Sequence, residues 1–318
     1  MEPIILAERP GIRVDDPDIK KSILNNLYMS WNKYDKDRFP GCQPVSIERK
    51  HFSSLRSNQY WVCAKTDGVR YIMHFHKNKE VYYCVLINRK NELFILDVHA
   101  IKSAFYGTIL DGELVLNKET RQYDFLIYDV VCVCGMNVSQ LPHSERLNKC
   151  KSVIMYIYIS EKHNINLQLK TFASLDIIKN YNDNIVPHIP HEHDGLIFTP
   201  ENRPIVTGTN YDMFKWKPKL KNTVDFWIEY NFKKNENPIL KVMKGKYLIR
   251  LHDHYVYVPK HLKDDVPGVF ECSYNGRKNW YAMFKRNDKH FPNHIFTMTK
   301  TLLNIEEDIR IEEFENIN

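Results

Sequence analysis

Glycine is scarce in this chain, 11 of 318 residues. None of them builds a GxxxxGK[ST] loop or a GxGxxG turn, so the sequence offers no glycine cradle for phosphates. GxSxG is absent too, which removes the nucleophile elbow without excluding every Ser/His/Asp triad. The seven cysteines are odd in number and form no CxxC pair; Cys132 and Cys134 stand closest. A disulfide framework or a structural zinc site is therefore not expected, and a reducing compartment is. No apolar run approaches the roughly 20 residues that cross a bilayer as a helix. "MEPIILAERPGIRVDD" has no basic n-region and no long apolar core, so it does not read as a secretory signal. Fixed-period repeats and low-complexity tracts are also missing. The expectation is a soluble, intracellular protein.

What is present fits two domains on length alone. A net charge of +6 permits an anionic partner such as a nucleotide or RNA without requiring one. Asp16-Pro17 reads as an N-cap and first helical residue, with Ile19, Ile23, Leu27 and Trp31 on one face behind it. "RFPGCQP" reads as a turn, and Ser46 as the cap of a short helix through Leu55. From Tyr60 the period becomes that of strands: "YWVCA", "VRYIMHF", "EVYYCVLIN", "LFILD", "TILDGELVL" and "YDFLIYDVVCV". A mixed helical segment follows through Leu147, Ile177 and Ile178, then strands at "DGLIFTP" and "DMFKWKP". After Asn222 come "TVDFWIEYN", "PILKVMKGKYLIRL", "HYVYVP", "GVFECSY" and "NWYAMFKR", five short segments that suggest a small barrel such as an OB-fold. "KTLLNIEEDI" reads as a closing helix. The boundary falls near Lys221.

Side chains alternate faces along a strand. In "FKWKP", Phe214 and Trp216 point one way and Lys215 and Lys217 the other, a pair of ammonium groups suited to an anion or else a solvated strand face. In "LDGEL", Asp111 and Glu113 share a face while Leu110 and Leu114 pack, an arrangement of hard oxygens suited to Mg2+ or Mn2+, or a turn aspartate beside Gly112. "HEHDGLIF" adds Asp194. His188, His191 and His193 lack the helical i, i+4 spacing of zinc ligands.

Lys65 is the oddest residue. It ends the apolar run "WVCA" and is followed by Thr66-Asp67-Gly68. Lysine is seldom buried unless paired, and it becomes a nucleophile when burial or nearby cations lower its pKa. Attack on the α-phosphate of a nucleoside triphosphate would use such an amine, cations for the phosphates, a divalent metal and a stacking platform.

Lys65-Thr66-Asp67-Gly68 with Arg70 resembles the KxDGxR signature of covalent nucleotidyltransferases, which include mRNA guanylyltransferases and ATP-dependent DNA and RNA ligases. "LDGEL", "FLIYDVV" (125–131), "DGLIF" (194–198), "FKWKP" (214–218) and "RNDK" (286–289) resemble the remaining motifs of that superfamily and follow in the same order. "KRNDKHFPN" is similar to the RxDKxxPN closing motif of capping enzymes. "PVSIERKHF" and "KTLLNIEED" look like the small stand-alone guanylyltransferase of the chlorella-virus type. The resemblance runs from about Pro40 to the end.

It implies an α+β fold: a mixed, largely antiparallel-sheet nucleotidyltransferase domain (1–221), an OB-fold β-barrel (222–299) and a C-terminal helical segment (300–318) packing back on the first domain. Lys65 would carry covalent GMP. Thr66, Asp67, Gly68, Arg70 and Arg89 would line the GTP site, the two arginines contacting ribose or phosphates. Tyr128 and Ile197 would sandwich the guanine, Lys170 would reach its O6, and Lys215 and Lys217 would hold the α-phosphate. Glu113 and Asp194 would serve the metal, Mg2+ or Mn2+, and the nucleophile. Asp225, Arg286, Asp288 and Lys289 would act on the β- and γ-phosphates when the OB domain closes through a hinge at 219–223. Two positions depart from the pattern: Asn88-Arg89 stands where Asp-Arg is usual, and Tyr128 where phenylalanine is common.

The implied activity is mRNA capping: GMP from GTP to Lys65, then to the 5'-diphosphate end of RNA to give GpppRNA. An RNA triphosphatase and a cap methyltransferase would be separate partners, and a monomer is expected. The location would be a viral factory, virion or cytoplasm for a viral protein, suggested by a composition rich in Asn, Ile, Lys and Tyr, and the nucleus for a cellular one. The alternatives are an ATP-dependent ligase of the same superfamily, or a non-catalytic RNA-binding scaffold.

Overall fold

The computed structural model describes residues 7, 9–31, 38–230, 237–315 and 317. The chain forms two compact units. The first comprises Met1–Val45, His51–Trp216 and Ile311–Asn318, and the second Ser46–Lys50 and Lys217–Arg310.

The helix Pro17–Ser30 begins where the sequence expects it. Asp16 Oδ1 accepts the backbone N–H groups of Asp18 (2.9 Å) and Ile19 (3.0 Å), satisfying two donors that have no partner within the helix. Its buried face carries Ile23 and Leu27, with Trp31 just beyond, against Ile72, Val85, Ile87, Ile109 and Val131. Those residues belong to an eight-stranded sheet in the order Ile12–Arg13, Leu93–Leu96, Val81–Ile87, Val69–Asn78, Tyr106–Leu116, Tyr123–Val133, Met136–Asn137, with Ile165–Leu169 also on Tyr123–Val133. All its neighbours are antiparallel except Ile165–Leu169, which lies parallel to Tyr123–Val133. The other face buries Tyr71, Met73, Phe75, Leu110, Leu114 and Phe125, and it is closed by Cys150 and Val153 of the helix His143–Ile154.

A second sheet of the same unit runs Ala173–Ser174, Tyr60–Thr66, His193–Pro200, Thr209–Trp216, Gln43–Ser46. Phe314 returns to this unit and is 1% exposed, with its ring beside Phe52, Phe198 and Trp216.

The second unit is a six-stranded sheet in the order Tyr247–Arg250, Ile239–Lys244, Thr223–Glu229, Gly268–Tyr274, Asn279–Lys285, Tyr255–Tyr257. It curls around Val224, Phe226, Ile228, Val242, Phe270 and Trp280 as a half-barrel consistent with an OB-fold. "PILKVMKGKYLIRL" is two strands, because Gly245 adopts φ +60° and turns the chain. The helix Ile295–Glu307 also belongs here.

Three local expectations are corrected. Ser46 ends a strand instead of capping a helix; the helical turn starts at Arg49 and the α-helix at Phe52. The segment after Leu147 is not wholly helical, since Ile157–Ile159, Ile165–Leu169 and Ala173–Ser174 are strands. The closing helix starts at Ile295, five residues before "KTLLNIEEDI".

Candidate active site

Lys65 lies on the strand Tyr60–Thr66. Val62, Ala64 and Thr66 on that strand are buried, while Lys65 is only partly so. Its Nζ donates to Asp194 Oδ1 at 2.7 Å, and 24% of its side chain is exposed. The amine is therefore paired and partly solvated, which corrects the expectation of a desolvated one. The register explains the partner. His193 pairs with Thr66 and Leu196 with Ala64, so the intervening Asp194 sits in an irregularity of the ladder. Bulges of this kind re-aim a side chain beside a site.

Thr66 links the lysine strand to the larger sheet. Its hydroxyl donates to Glu113 Oε2 and accepts from Lys170 Nζ at 2.8 Å. Lys170 Nζ is also 3.8 Å from Glu113 Oε2 and its side chain is 8% exposed. Lys170 is thus placed at the pocket wall because its backbone N–H continues the ladder to Ile127 O.

Arg70 is held more firmly. Its Nε and Nη2 donate to the two oxygens of Asp111 at 3.0 and 2.5 Å, and Nη1 donates to the Cys42 carbonyl at 2.5 Å. The guanidinium carbon is 5.3 Å from the Phe39 ring centroid and 5.5 Å from that of Tyr128. Tyr128 donates its hydroxyl to Asp111 Oδ1 at 2.8 Å. Burial raises the Tyr128 pKa well above its ordinary value, so the phenol remains a neutral donor. Asp111, 3% exposed, is committed to Arg70 and Tyr128 and is a strut in place of the metal ligand that "LDGEL" suggested. Gly112 between the two acidic residues is required, since a Cβ there would lie 2.6 Å from Phe125 Cζ.

These side chains enclose a cavity of about 260 Å³ lined by Cys63, Lys65, Thr66, Arg70, Arg89, Glu113, Tyr128, Lys170, Ile197 and Lys215, among others. Tyr128 and Ile197 thus face one space. Asp67 and Gly68 follow the lysine strand as a turn, with the Asp67 N–H donating to Glu192 O at 2.8 Å. Lys217 lies just past the end of Thr209–Trp216, while Phe214 and Trp216 of that strand are buried. Cys42 and Cys63 are also in the cavity wall. Burial pushes both thiols up to about 11, which leaves them poor nucleophiles at neutral pH. His188, His191 and His193 do not converge: His191 Nε2 is 2.7 Å from Asp124 Oδ2, and the other two face backbone carbonyls.

In the second unit the closing motif gathers around Asp225, which is 4% exposed. Arg286 Nη1 donates to Asp225 (3.2 Å) and to Glu271 (2.9 Å), while Nε and Nη2 donate to Asp288 (2.9 and 2.8 Å). Lys289 Nζ donates to Asp225 Oδ2. Hydrogen bonding to Arg286 holds the Asp288 carboxyl down at about 2. Two participants were not singled out from the sequence. Glu271 faces Asp225 across the ladder, and Asn293 Oδ1 accepts the Asp225 N–H at 2.9 Å. The final asparagine of "HFPN" was the available signal for the second.

Among the described residues no group of three or more metal-ligating side chains is gathered. Glu113 and Asp194 nevertheless present carboxylate oxygens beside the strand Tyr60–Thr66 that carries Lys65. One or two carboxylates completed by substrate phosphates and water is the usual Mg2+ arrangement, so this donor set fits such an ion.

The family model of the mRNA capping enzyme catalytic domain matches residues 10–219, and that of the mRNA capping enzyme C-terminal domain residues 221–314. An mRNA-capping enzyme subunit alpha of Schizosaccharomyces pombe is 28% identical over 98% of this chain and 85% of its own length. An mRNA-capping enzyme of Caenorhabditis elegans is 29% identical over 96% of this chain, which spans 53% of the nematode protein. Among solved structures, a mycobacterial DNA ligase D complexed with ATP and MES is similar at a TM-score of 0.48 and 13% identity, covering 81% of this chain and 97% of that one. With the catalytic-domain match running through the whole Lys65 pocket, the chain belongs to the mRNA capping enzyme family and is a guanylyltransferase of that family.

Proposed function

We propose that Lys65 Nζ attacks the α-phosphate of GTP. A P–N bond forms, the bond to the β-phosphate oxygen breaks, and pyrophosphate leaves with that electron pair as the amine loses its proton. A β-phosphate oxygen of 5'-diphosphate RNA then attacks the same phosphorus, the P–N bond breaks, and GpppRNA departs while Lys65 regains a proton. The observation that carries this reading is Lys65, paired with Asp194 at 2.7 Å, in the wall of a cavity that Arg70, Arg89, Lys170 and Lys215 also line. Asp194 orients the amine. Lys215 and Lys217 are assigned to the α-phosphate, where charge develops, and such preorganised charge is commonly the largest source of rate. Tyr128 and Ile197 are assigned to the two faces of the guanine, with Lys170 at its edge. A divalent ion, Mg2+ or Mn2+, held by Glu113 and Asp194 would supply charge neutralisation at the phosphates. Asp225, Arg286, Asp288 and Lys289 are assigned to the departing phosphates. A separate triphosphatase would supply the diphosphate end, and a methyltransferase would consume the product.

The test is incubation with GTP labelled at the α-phosphate and Mg2+ or Mn2+, followed by denaturation. Label on the protein from GTP, absent with ATP and absent in Lys65→Ala, is the expected result. Label from ATP in its place would move the chain to ligase chemistry, and label retained by Lys65→Ala would discard Lys65 as the nucleophile.

A further inference from the structure

A second cavity of about 520 Å³ adjoins the nucleotide pocket, sharing Arg70, Arg89 and Glu113 with it. Its remaining polar wall is strongly cationic: Arg9, Arg13 and Lys90, joined by Arg89. Two carboxylates line it, against four cationic side chains besides Arg70. Glu92 is engaged by Asn88 Nδ2 at 2.7 Å and by Arg13 at 3.7 Å, both of the same wall, and Glu113 by Thr66 outside it. Arg13 is further occupied by Asp15 at 3.2 Å. Arg9, Arg89 and Lys90 are exposed and make no ion pair among the described residues. Like charges gathered around one space repel one another and favour an anion between them.

Two of these cations are presented by a rigid turn. Asn88 Oδ1 accepts the backbone N–H groups of Lys90 (2.9 Å) and Glu92 (3.0 Å), and Asn91 N–H closes the turn on Asn88 O at 3.0 Å. The side-chain amide donates at the same time to Glu92, which an aspartate at position 88 could not do. The departure from Asp-Arg at this place therefore locks the turn that carries Arg89 and Lys90.

The geometry points to this second cavity as the docking site for the 5'-diphosphate end of the acceptor RNA, with Arg9, Arg89 and Lys90 as its phosphate ligands. The inference rests on the guanylyltransferase reading for its substrate. An incoming phosphate oxygen must reach the phosphorus held at Lys65, and a cavity that shares a wall with the Lys65 pocket gives a strand end that approach. Arg89, common to both spaces, would contact the donor and acceptor phosphates in turn.

The test is fluorescence anisotropy with a short RNA carrying a 5'-diphosphate and the same RNA carrying a 5'-hydroxyl, on the wild type and on Arg9→Gln/Lys90→Gln. The wild type is expected to bind the diphosphate end at least tenfold more tightly, and the double variant to lose most of that preference. Each lost phosphate contact lowers the slope of log K against log salt by about 0.7, so the variant's slope should fall by about 1.4. Adduct formation from GTP should stay within about twofold of wild type. No end preference in the wild type, or preference and salt slope unchanged in the variant, overturns the inference. So does a matched loss of adduct formation, which would assign the cavity to GTP. Failure of the wild type to take label from GTP would remove the catalytic reading instead, because the binding comparison needs no adduct.

Discussion

Replacing Asp111 by alanine should damage the protein far more than loss of a surface carboxylate. Asp111 is 3% exposed and the Arg70 side chain 8%, so the pair is largely shielded from solvent, and its two parallel hydrogen bonds are of the strong bidentate type. Asp111→Ala leaves a buried guanidinium whose remaining hydrogen-bond acceptor among the described residues is the Cys42 carbonyl, and it removes the acceptor of the Tyr128 hydroxyl. Breaking a buried pair in this way costs about 3–5 kcal/mol, against about 1 kcal/mol or less for an exposed one. For a unit of this size each kcal/mol lowers the melting temperature by about 2–4 °C, so a fall of about 6–20 °C is expected. Removing both charges in Arg70→Met/Asp111→Leu should recover most of the loss, since no charge is then left without a partner. Thermal melts of wild type, both single variants and the double variant followed by circular dichroism form the cycle. A loss below about 1 kcal/mol for Asp111→Ala, or a double variant as unstable as the two singles summed, would refute the account of this pair as a buried strut.

Lys215→Ala should slow adduct formation by about 10²–10³-fold, the usual effect of deleting one group that stabilises transition-state charge; single-turnover labelling with GTP measures it, and a change below tenfold would remove Lys215 from the phosphate site. Arg286→Ala should block adduct formation while sparing transfer from a preformed adduct, and a normal labelling rate would discard the role given to the second unit. His74 is buried, with its pKa pushed down to about 3 by burial and by His76 beside it. Its folded-state pKa lies below the unfolded value near 6.5, so its contribution is full above that pH and is lost as the pH falls towards 3, by about 1.4 kcal/mol per pH unit. Urea titrations should show His74→Leu flattening the acid limb by one proton; an unchanged slope would contradict the neutral buried ring. Phe314→Ala should cost about 3–5 kcal/mol because the ring is 1% exposed among Phe52, Phe198 and Trp216, and a melt within 2 °C of wild type would count against that packing.

The strands were legible because they are runs rich in β-branched and aromatic residues bounded by turn residues, several of them buried on both faces. "YDFLIYDVVCV" became a strand with the same ends, and "GVFECSY" likewise. Ile165–Leu169 was missed although Ile165, Leu167 and Leu169 alternate with Asn166 and Gln168; the run is five residues long, and its parallel pairing with a strand some forty residues earlier is something no local pattern reports. Ser46 misled for a related reason. A serine near a helical turn reads as a cap, but its backbone is consumed by a strand, and the α-helix that follows starts at Phe52 with His51 at its N-cap and no side-chain cap hydrogen bond.

The site divides along the same line. Motif order brought Lys65, Thr66, Arg70, Arg89, Glu113, Tyr128, Lys170, Ile197 and Lys215 to one cavity; all but Lys170 lie on or beside strands read from the sequence, and Lys170 follows the unread strand Ile165–Leu169. What lay beyond reach was which charges neutralise one another. Arg70 pairs in the ladder with Glu113 yet spends its hydrogen bonds on Asp111, two residues back on the same face. That choice leaves Glu113 to Thr66 and Lys170, near Lys65, and makes Asp111 structural. Two carboxylates separated by one glycine thus take opposite duties, and the difference is set by which of them the planar fork of a single arginine can grip.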